Sequence, residues 1–309
     1  MSSHDGLAPG MARSGADFRQ RPFYRFMAAY TESPVATAAL AISVFVLLMA
    51  IAAPLVTPQN PYDLAQLNIA DSKLPPGESS MLDGYTYLLG TDDQGRDLYS
   101  GIVYGLRISL SVGIMSTVIA LVIGMCIGLV SAYFGGALDS FIMRVVDLQL
   151  SFPAILIALI LLAILGKGVD KVILALVIVQ WAYYARTTRS AALVERQKEY
   201  IEAVHCLALS KPRIVFRHML PNCLPPVMVV ATVQMAHAVT LEATLSFLGV
   251  GVPVTEPSLG LLIANGFEYM MSGMYWISFY PGIALFVVVA SINLIGDQLR
   301  DVLNPRLER

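Results

Sequence analysis

The chain has 309 residues, of which 56% are hydrophobic and only 14% are charged. A soluble domain usually carries about a quarter charged residues, so this composition excludes an ordinary soluble protein. The three cysteines, Cys126, Cys206 and Cys223, lie far apart, which excludes a disulfide framework and a cysteine-ligated metal site. The formal net charge of -2 excludes little, because the side on which charges lie matters more in a membrane protein than their sum.

Uncharged stretches recur along the chain, and several have the length that a helix needs to cross about 30 Å of hydrocarbon. They predict an all-α, polytopic membrane protein with six transmembrane helices: residues 35–56, 107–133, 142–165, 170–189, 218–245 and 277–298. The fourth is the least apolar, because only residues 172–185 within it are free of charge. Residues 257–276 are apolar but interrupted by three glycines, which is typical of a re-entrant or interfacial segment.

Lysine and arginine are distributed unequally between the two sides of the predicted spans. If the N-terminus is cytoplasmic, 15 of the 20 lie on the cytoplasmic side, as the positive-inside rule requires. We therefore place both termini in the cytoplasm. The chain then divides into four parts: a cytoplasmic N-terminal segment (1–33), a first span with a periplasmic loop (34–106), a core transmembrane domain (107–299) and a cytoplasmic C-terminal tail (300–309).

The most informative cytoplasmic segment, residues 199–222, connects the fourth and fifth predicted spans. Four of its residues recur at helical spacing: Tyr200, Ala203, Val204 and Leu207. Glu199 and Glu202 lie away from them, so the pattern predicts a short amphipathic helix. Ser210 and Pro212 are typical of the start of a second helix. The segment is therefore expected to form a helix, a sharp turn and another helix.

This segment resembles the EAA loop of bacterial ABC importer permeases, whose pattern is Glu-Ala-Ala, a Gly four residues later, and an Ile-x-Leu-Pro ending. Five residues occupy matching positions: Glu202, Ala203, Val204, Leu220 and Pro221. Two positions depart from the pattern, because Ala208 stands in place of the glycine and His218 in place of the isoleucine. The resemblance implies a cytoplasmic coupling helix between spans four and five.

Three further blocks extend the resemblance over nearly the whole chain: Leu89–Leu110, Leu245–Pro253 and Asn293–Pro305. All three are similar to blocks of the second permease subunit in dipeptide and oligopeptide ABC importers. Leu259 replaces a tryptophan that is usual in that branch, and Asn304 replaces an aspartate. The resemblance implies the type I ABC importer permease fold and the import of di- or oligopeptides, or of another small solute such as glutathione or a nickel chelate.

The resemblance also implies partners. In the family, two homologous permease subunits pair in the bacterial inner membrane, two cytoplasmic ATPases bind beneath them, and an external binding protein delivers the ligand. ATP and Mg²⁺ are then bound by the ATPase subunits, and this chain is expected to hold no cofactor and no nucleic acid. The implied ATPase contact lies on the coupling helix and its turn: Glu199, Glu202, Ala203, Val204, Leu207 and Ala208.

Motifs of other function classes are absent from the sequence. No G-x-x-x-x-G-K-[ST] phosphate-binding loop occurs, and the four histidines form no ligand cluster, so we expect neither an ATPase site nor a catalytic or metal site. A self-contained secondary carrier would need relay groups in its spans and often shows inverted halves. The spans hold one deep acid and no repeated halves. A membrane enzyme would need converging catalytic groups, and none occurs.

Glu242 lies inside the fifth predicted span, where burying a charge costs roughly 2.5 to 3.5 kcal/mol. Gln234 lies about 80° away around the same helix. We consider both as candidates for the translocation pathway or its gate. The alternative for Glu242 is a bond to unwound backbone beside Pro253 or to the partner subunit, and the sequence leaves both readings open.

Three local features predict contacts. Arg144 and Asp147 are three residues apart on one helix, which favours a local ion pair. The G-x-x-x-G step at residues 124–128 lets another helix approach closely. Thr91 or Asp92 is expected to cap a helix at the outer interface.

Overall fold

The computed structural model describes residues 22–63, 65, 67–80, 84–207 and 209–303. Within them the architecture is helical, apart from isolated bridges between Ser79 and Thr86 and between Thr91 and Asp97. The α-helices are α1 (Pro22–Thr31), α2 (Pro34–Ile51), α3 (Ala53–Val56), α4 (Leu98–Phe134), α5 (Gly136–Leu150), α6 (Ala154–Leu165), α7 (Val169–Arg196), α8 (Glu199–Cys206), α9 (Lys211–Arg213), α10 (Leu220–Phe247), α11 (Leu259–Phe267) and α12 (Trp276–Val302).

Four described helical segments are long and apolar enough to cross a bilayer: α2, α4, the continuous segment Lys211–Phe247 and α12. Helices α5 and α6 would make a fifth, but they meet at a bend of 88°. The prediction of one continuous helix over 142–165 is therefore wrong. Pro153 lacks a backbone N-H and disfavours helical geometry in the residue before it, so the helix ends and restarts there.

Helix α7 covers the fourth predicted span. It has 28 residues, or about 42 Å at 1.5 Å per residue, but its charged and polar residues keep it outside the set that length and composition identify. The described helices thus supply four or five spans on these criteria, where the sequence predicted six. The second span also starts earlier than predicted, at Leu98 rather than 107.

Helices α4 and α7 pack closely along the G-x-x-x-G step. A Cβ added at Gly124 would lie 2.4 Å from the carbonyl oxygen of Trp181, and one added at Gly128 would lie 2.5 Å from that of Ala185. Real Cβ atoms do not approach backbone so closely, so only glycine permits this packing. The step therefore joins two helices of the same chain.

The glycine-interrupted segment forms the short helix α11 and a 3₁₀ turn at Met270–Ser272. Nine residues are too few to cross a bilayer, which agrees with the predicted interfacial or re-entrant segment. A Cβ at Gly260 would lie 2.1 Å from the Ala243 oxygen of α10, and one at Gly266 would lie 2.4 Å from the Ser278 nitrogen of α12. Protein therefore surrounds this irregular backbone on both sides.

The outer loop packs against the start of α4. Asp97 is the N-cap of this helix, and its carboxylate accepts a hydrogen bond from the backbone N-H of Ser100 at 2.9 Å. The prediction of Thr91 or Asp92 as cap is wrong, because the Asp92 carboxylate instead accepts from the backbone N-H groups of Gln94 and Arg96, each at 2.9 Å. The turn that these bonds close delays the start of the helix.

Ion pairs join the broken third span to α7. Asp147 pairs with Arg186 of α7, so the predicted local pair with Arg144 is wrong. Asp139 accepts two hydrogen bonds from Arg189, at 2.5 Å each. Both acids of α5 thus find their partners on another helix, which closes α5 onto α7.

Replacement of Gly124 by alanine is expected to lower stability by about 1–3 kcal/mol, because the new methyl group overlaps the α7 backbone. Gly282→Ala is the matched control, since Gly282 lies within α12 and a Cβ there meets no atom within 4 Å. Thermal unfolding of the purified complex in detergent measures both. An equal effect of the two variants would contradict the packing described.

Candidate functional site

The coupling segment is anchored to the membrane helices by one face of α8. Ile201 is 1% exposed and joins a buried cluster with Leu129 of α4, Ala192 of α7 and Met219. Tyr200 and Val204 are half-buried against the same cluster. The predicted short helix is therefore present, and its inward face is centred on Ile201.

A hydrogen-bond network centred on Tyr200 connects the two ends of this segment. The Tyr200 hydroxyl donates to the Glu195 carboxylate at 2.6 Å and accepts from the Asn222 side-chain amide at 2.9 Å. The same amide donates to the His218 carbonyl at 3.0 Å. Burial and the neighbouring Glu195 raise the pKa of Tyr200 to about 12, so the hydroxyl keeps its proton at neutral pH.

The opposite face of α8 is open. Glu199, Glu202, Ala203, Cys206 and Leu207 are exposed, and Leu207 is exposed to 71%. Among the residues predicted for ATPase contact, Val204 is half-buried, and Ala208 lies outside the described residues. Ala203 and Leu207 recur at helical spacing with Tyr200 and Val204, but they lie on the open side of the helix. The open face therefore combines apolar and acidic residues on an anchored helix.

Beyond α8 the chain turns and enters the fifth predicted span. Ser210 precedes α9, as predicted, but its hydroxyl accepts no capping hydrogen bond. Residues Ile214–Met219 form a π-helix, and α10 follows without a break, giving a helical segment of 37 residues. The open face of α8 is therefore connected directly to a long membrane helix.

Glu242 lies deeper along α10 and is fully buried. Its carboxylate accepts hydrogen bonds from Ser109 of α4 at 2.7 Å and from Ser246 at 2.8 Å, and Ser258 contributes a third side-chain bond. The Ser246 hydroxyl also accepts from the backbone N-H of Val252, at 3.4 Å. Glu242 thus ties α4, α10 and the chain entering α11 together.

Gln234, the other candidate for the pathway, lies elsewhere. It lines a cleft of about 310 Å³ between α7, α10 and α12, which Glu242 does not line. Sequence reasoning missed the other polar residues of this cleft: Tyr183, His237, Thr240 and Asn293. The signal was present, because His237 and Asn293 are polar residues inside apolar predicted spans.

Within the described part of the chain, no group of three or more His, Cys, Asp or Glu residues is placed to hold a metal ion. The features described above are an exposed helix face on α8, a helical segment that enters the membrane region, and a cleft lined by polar and apolar residues between α7, α10 and α12.

Comparison with known families decides the class of this molecule. Residues 120–309 match the protein family described as binding-protein-dependent transport system inner membrane component. Residues 22–76 match the family described as N-terminal TM domain of oligopeptide transport permease C. The chain belongs to the first of these families. It is a multi-pass permease of the inner membrane and a component of an ABC importer, and ATP is hydrolysed by other subunits.

Curated relatives agree with this assignment. The chain is 34% identical over 289 residues to the di/tripeptide transport system permease protein DppC of Pseudomonas aeruginosa, which covers 93% of each chain. It is 36% identical over 262 residues to the dipeptide transport system permease protein DppC of Alkalihalophilus pseudofirmus, covering 85% of this chain and 83% of the relative.

The fold also resembles that of a solved transporter. A chain of the MetNI methionine ABC transporter, in an inward-facing conformation, superposes with a TM-score of 0.54 and 21% identity, covering 66% of this chain and 96% of that chain. This likeness concerns the fold alone, and it supports the predicted importer permease architecture.

Tyr200→Phe is expected to lower stability by about 1–3 kcal/mol, because it removes the donor to Glu195 and the acceptor for Asn222. Tyr275→Phe is the control, since Tyr275 is 55% exposed. Thermal unfolding gives the stability, and limited proteolysis within 199–222 reports loosening of the segment. Unchanged proteolysis would show that the Tyr200 hydrogen bonds do not stabilise residues 199–222.

Proposed function

We propose that this permease imports di- or oligopeptides, delivered by an extracellular binding protein, through a pathway opened by ATP hydrolysis on separate subunits. The two relatives described above carry peptide names, and residues 22–76 match the N-terminal domain of an oligopeptide permease. The absence of a phosphate-binding loop in the sequence is consistent with this division of labour.

The proposed assembly contains this chain, a second homologous permease and two ATPase subunits. In this arrangement α7 is the fourth of six spans, with Lys171 and Arg186 extending to the interfaces. Both termini and the coupling segment lie in the cytoplasm, in agreement with the distribution of Lys and Arg.

The open face of α8 carries the mechanical part of the proposal. Glu202 and Ala203 are exposed, whereas Ile201 beside them is buried against α4 and α7. Ala203 permits close approach of an ATPase surface, and Glu202 supplies a charge for a basic or amide group in it. Because the segment continues into α10, displacement of α8 is transmitted to the membrane helices.

Glu202→Lys is expected to abolish most peptide uptake and to uncouple ATPase activity from the loaded binding protein, since the reversed charge opposes the ATPase contact. The measurements are peptide import and peptide-stimulated ATP hydrolysis in proteoliposomes. Glu32→Lys is the matched control, because it reverses an exposed charge outside the coupling segment. Intact coupling in Glu202→Lys would overturn the assignment of α8.

A further inference from the structure

The cleft between α7, α10 and α12 lies at the middle of three long helices. Helix α10 forms its floor, with five of the eight lining residues, and α7 and α12 form its walls. Tyr183 is 14 residues from the start of α7, His237 is 17 residues from the start of α10, and Asn293 is 17 residues from the start of α12. These positions correspond to about 21 to 26 Å along each helix.

Polar side chains open into this cleft. Tyr183, His237, Thr240 and Asn293 are all exposed. Hydrocarbon offers no hydrogen-bond partners to such groups, so polar residues at this depth face water or protein rather than lipid. Other faces of the chain carry exposed apolar residues instead. Phe45 of α2, for example, is 62% exposed.

Gln234 lines the cleft, and its backbone carbonyl accepts a hydrogen bond from a second buried amide side chain. The Gln180 side chain donates to the Gln234 carbonyl at 3.3 Å. In the described structure, Gln180 Oε1 and Gln234 Nε2 are buried and have no hydrogen-bond partner. The hydrogen bond from Gln180 to Gln234 joins the cleft floor on α10 to α7.

The lining carries no carboxylate, ammonium or guanidinium group among the described residues, because it includes no Asp, Glu, Lys or Arg. Apolar Val233, Ala236 and Val289 share the lining with phenol, imidazole, hydroxyl and amide groups. The Thr240 hydroxyl donates to the Ala236 carbonyl at 2.9 Å and can still accept a hydrogen bond. Such a set matches the N-H and C=O groups that every peptide bond carries. It gives no preference for a charged side chain.

We propose that this cleft is the part of the peptide route contributed by this chain, and that it holds the peptide through neutral hydrogen bonds to backbone amides. Asn293, His237, Thr240 and Tyr183 are the contacting residues. The inference rests on the proposed import of peptides and deepens it. Recognition of the amide alone makes the route indifferent to peptide sequence and charge, while the external binding protein does the selecting.

Introducing a negative charge into the cleft is expected to make import depend on the charge of the peptide. In proteoliposomes containing the whole complex, import of Ala-Ala, Lys-Ala and Glu-Ala is measured at saturating loaded binding protein. Asn293→Asp should raise the ratio of Lys-Ala to Glu-Ala import by about tenfold or more relative to the unmodified complex, because opposite charges attract strongly in a low-dielectric site. The same binding protein is used throughout, so its own preference cancels.

Asn60→Asp is the matched control. It makes the same chemical change in the outer loop, where the retained side-chain oxygen still accepts from the backbone N-H of Tyr62. Its import ratio should stay unchanged. If Asn293→Asp does not assemble, His237→Asp on the cleft floor replaces it. Active complexes whose import ratio is unchanged in the cleft variant would overturn the inference. An unmodified complex that imports none of the peptides would instead overturn the proposed function.

Water access supplies an independent measurement. In a chain whose three native cysteines are replaced by alanine, His237→Cys should react with a charged methanethiosulfonate reagent at least about tenfold faster than Phe45→Cys, since only water carries the reagent to the thiol. Equal, slow labelling of both variants in every nucleotide state would show that lipid or a tightly packed partner covers the cleft. That result would contradict the proposed route.

Discussion

Hydrocarbon neither donates nor accepts hydrogen bonds, so polar groups within the membrane need partners in the protein or in water. This constraint explains the unusual features of the chain. The buried carboxylate of Glu242 meets it with serine hydroxyls from α4, α10 and the start of α11. The interrupted segment 257–276 meets it by lying between α10 and α12, with glycines at the points of contact. The cleft between α7, α10 and α12 differs, because Tyr183, His237 and Asn293 remain exposed in it. The proposed peptide route lies there.

One helical segment connects the features that bear on function. It begins beside α8, passes through the π-helix at Ile214–Met219, forms the cleft floor at His237 and reaches Glu242. The glycine-mediated contact between α4 and α7 provides a close-packed support on one side. Movement at the coupling segment is therefore expected to shift the cleft floor relative to its walls.

A lining whose described residues include no Asp, Glu, Lys or Arg also suits the energetics of transport. A pathway must bind its solute weakly enough to release it, and fixed charges would hold an oppositely charged peptide while excluding another. Hydrogen bonds to amides are individually modest, about 0.5–1.5 kcal/mol net, and every peptide offers them. Glu242 lies outside this lining, and its carboxylate accepts hydrogen bonds from Ser109 and Ser246.

The sequence by itself determined the membrane class, the approximate position of most apolar helices and the presence of a short helix within residues 199–222, because hydropathy and helical periodicity are local properties. It did not determine which residues meet across helices. Asp147 pairs with Arg186 rather than Arg144, Asp97 caps α4 instead of Thr91 or Asp92, and Gln234 lies apart from Glu242. Only the tertiary structure decided these contacts and assembled the cleft from α7, α10 and α12. The physical reason is that a hydrogen bond or ion pair depends on distances between chain segments, which helix packing sets and local sequence does not encode.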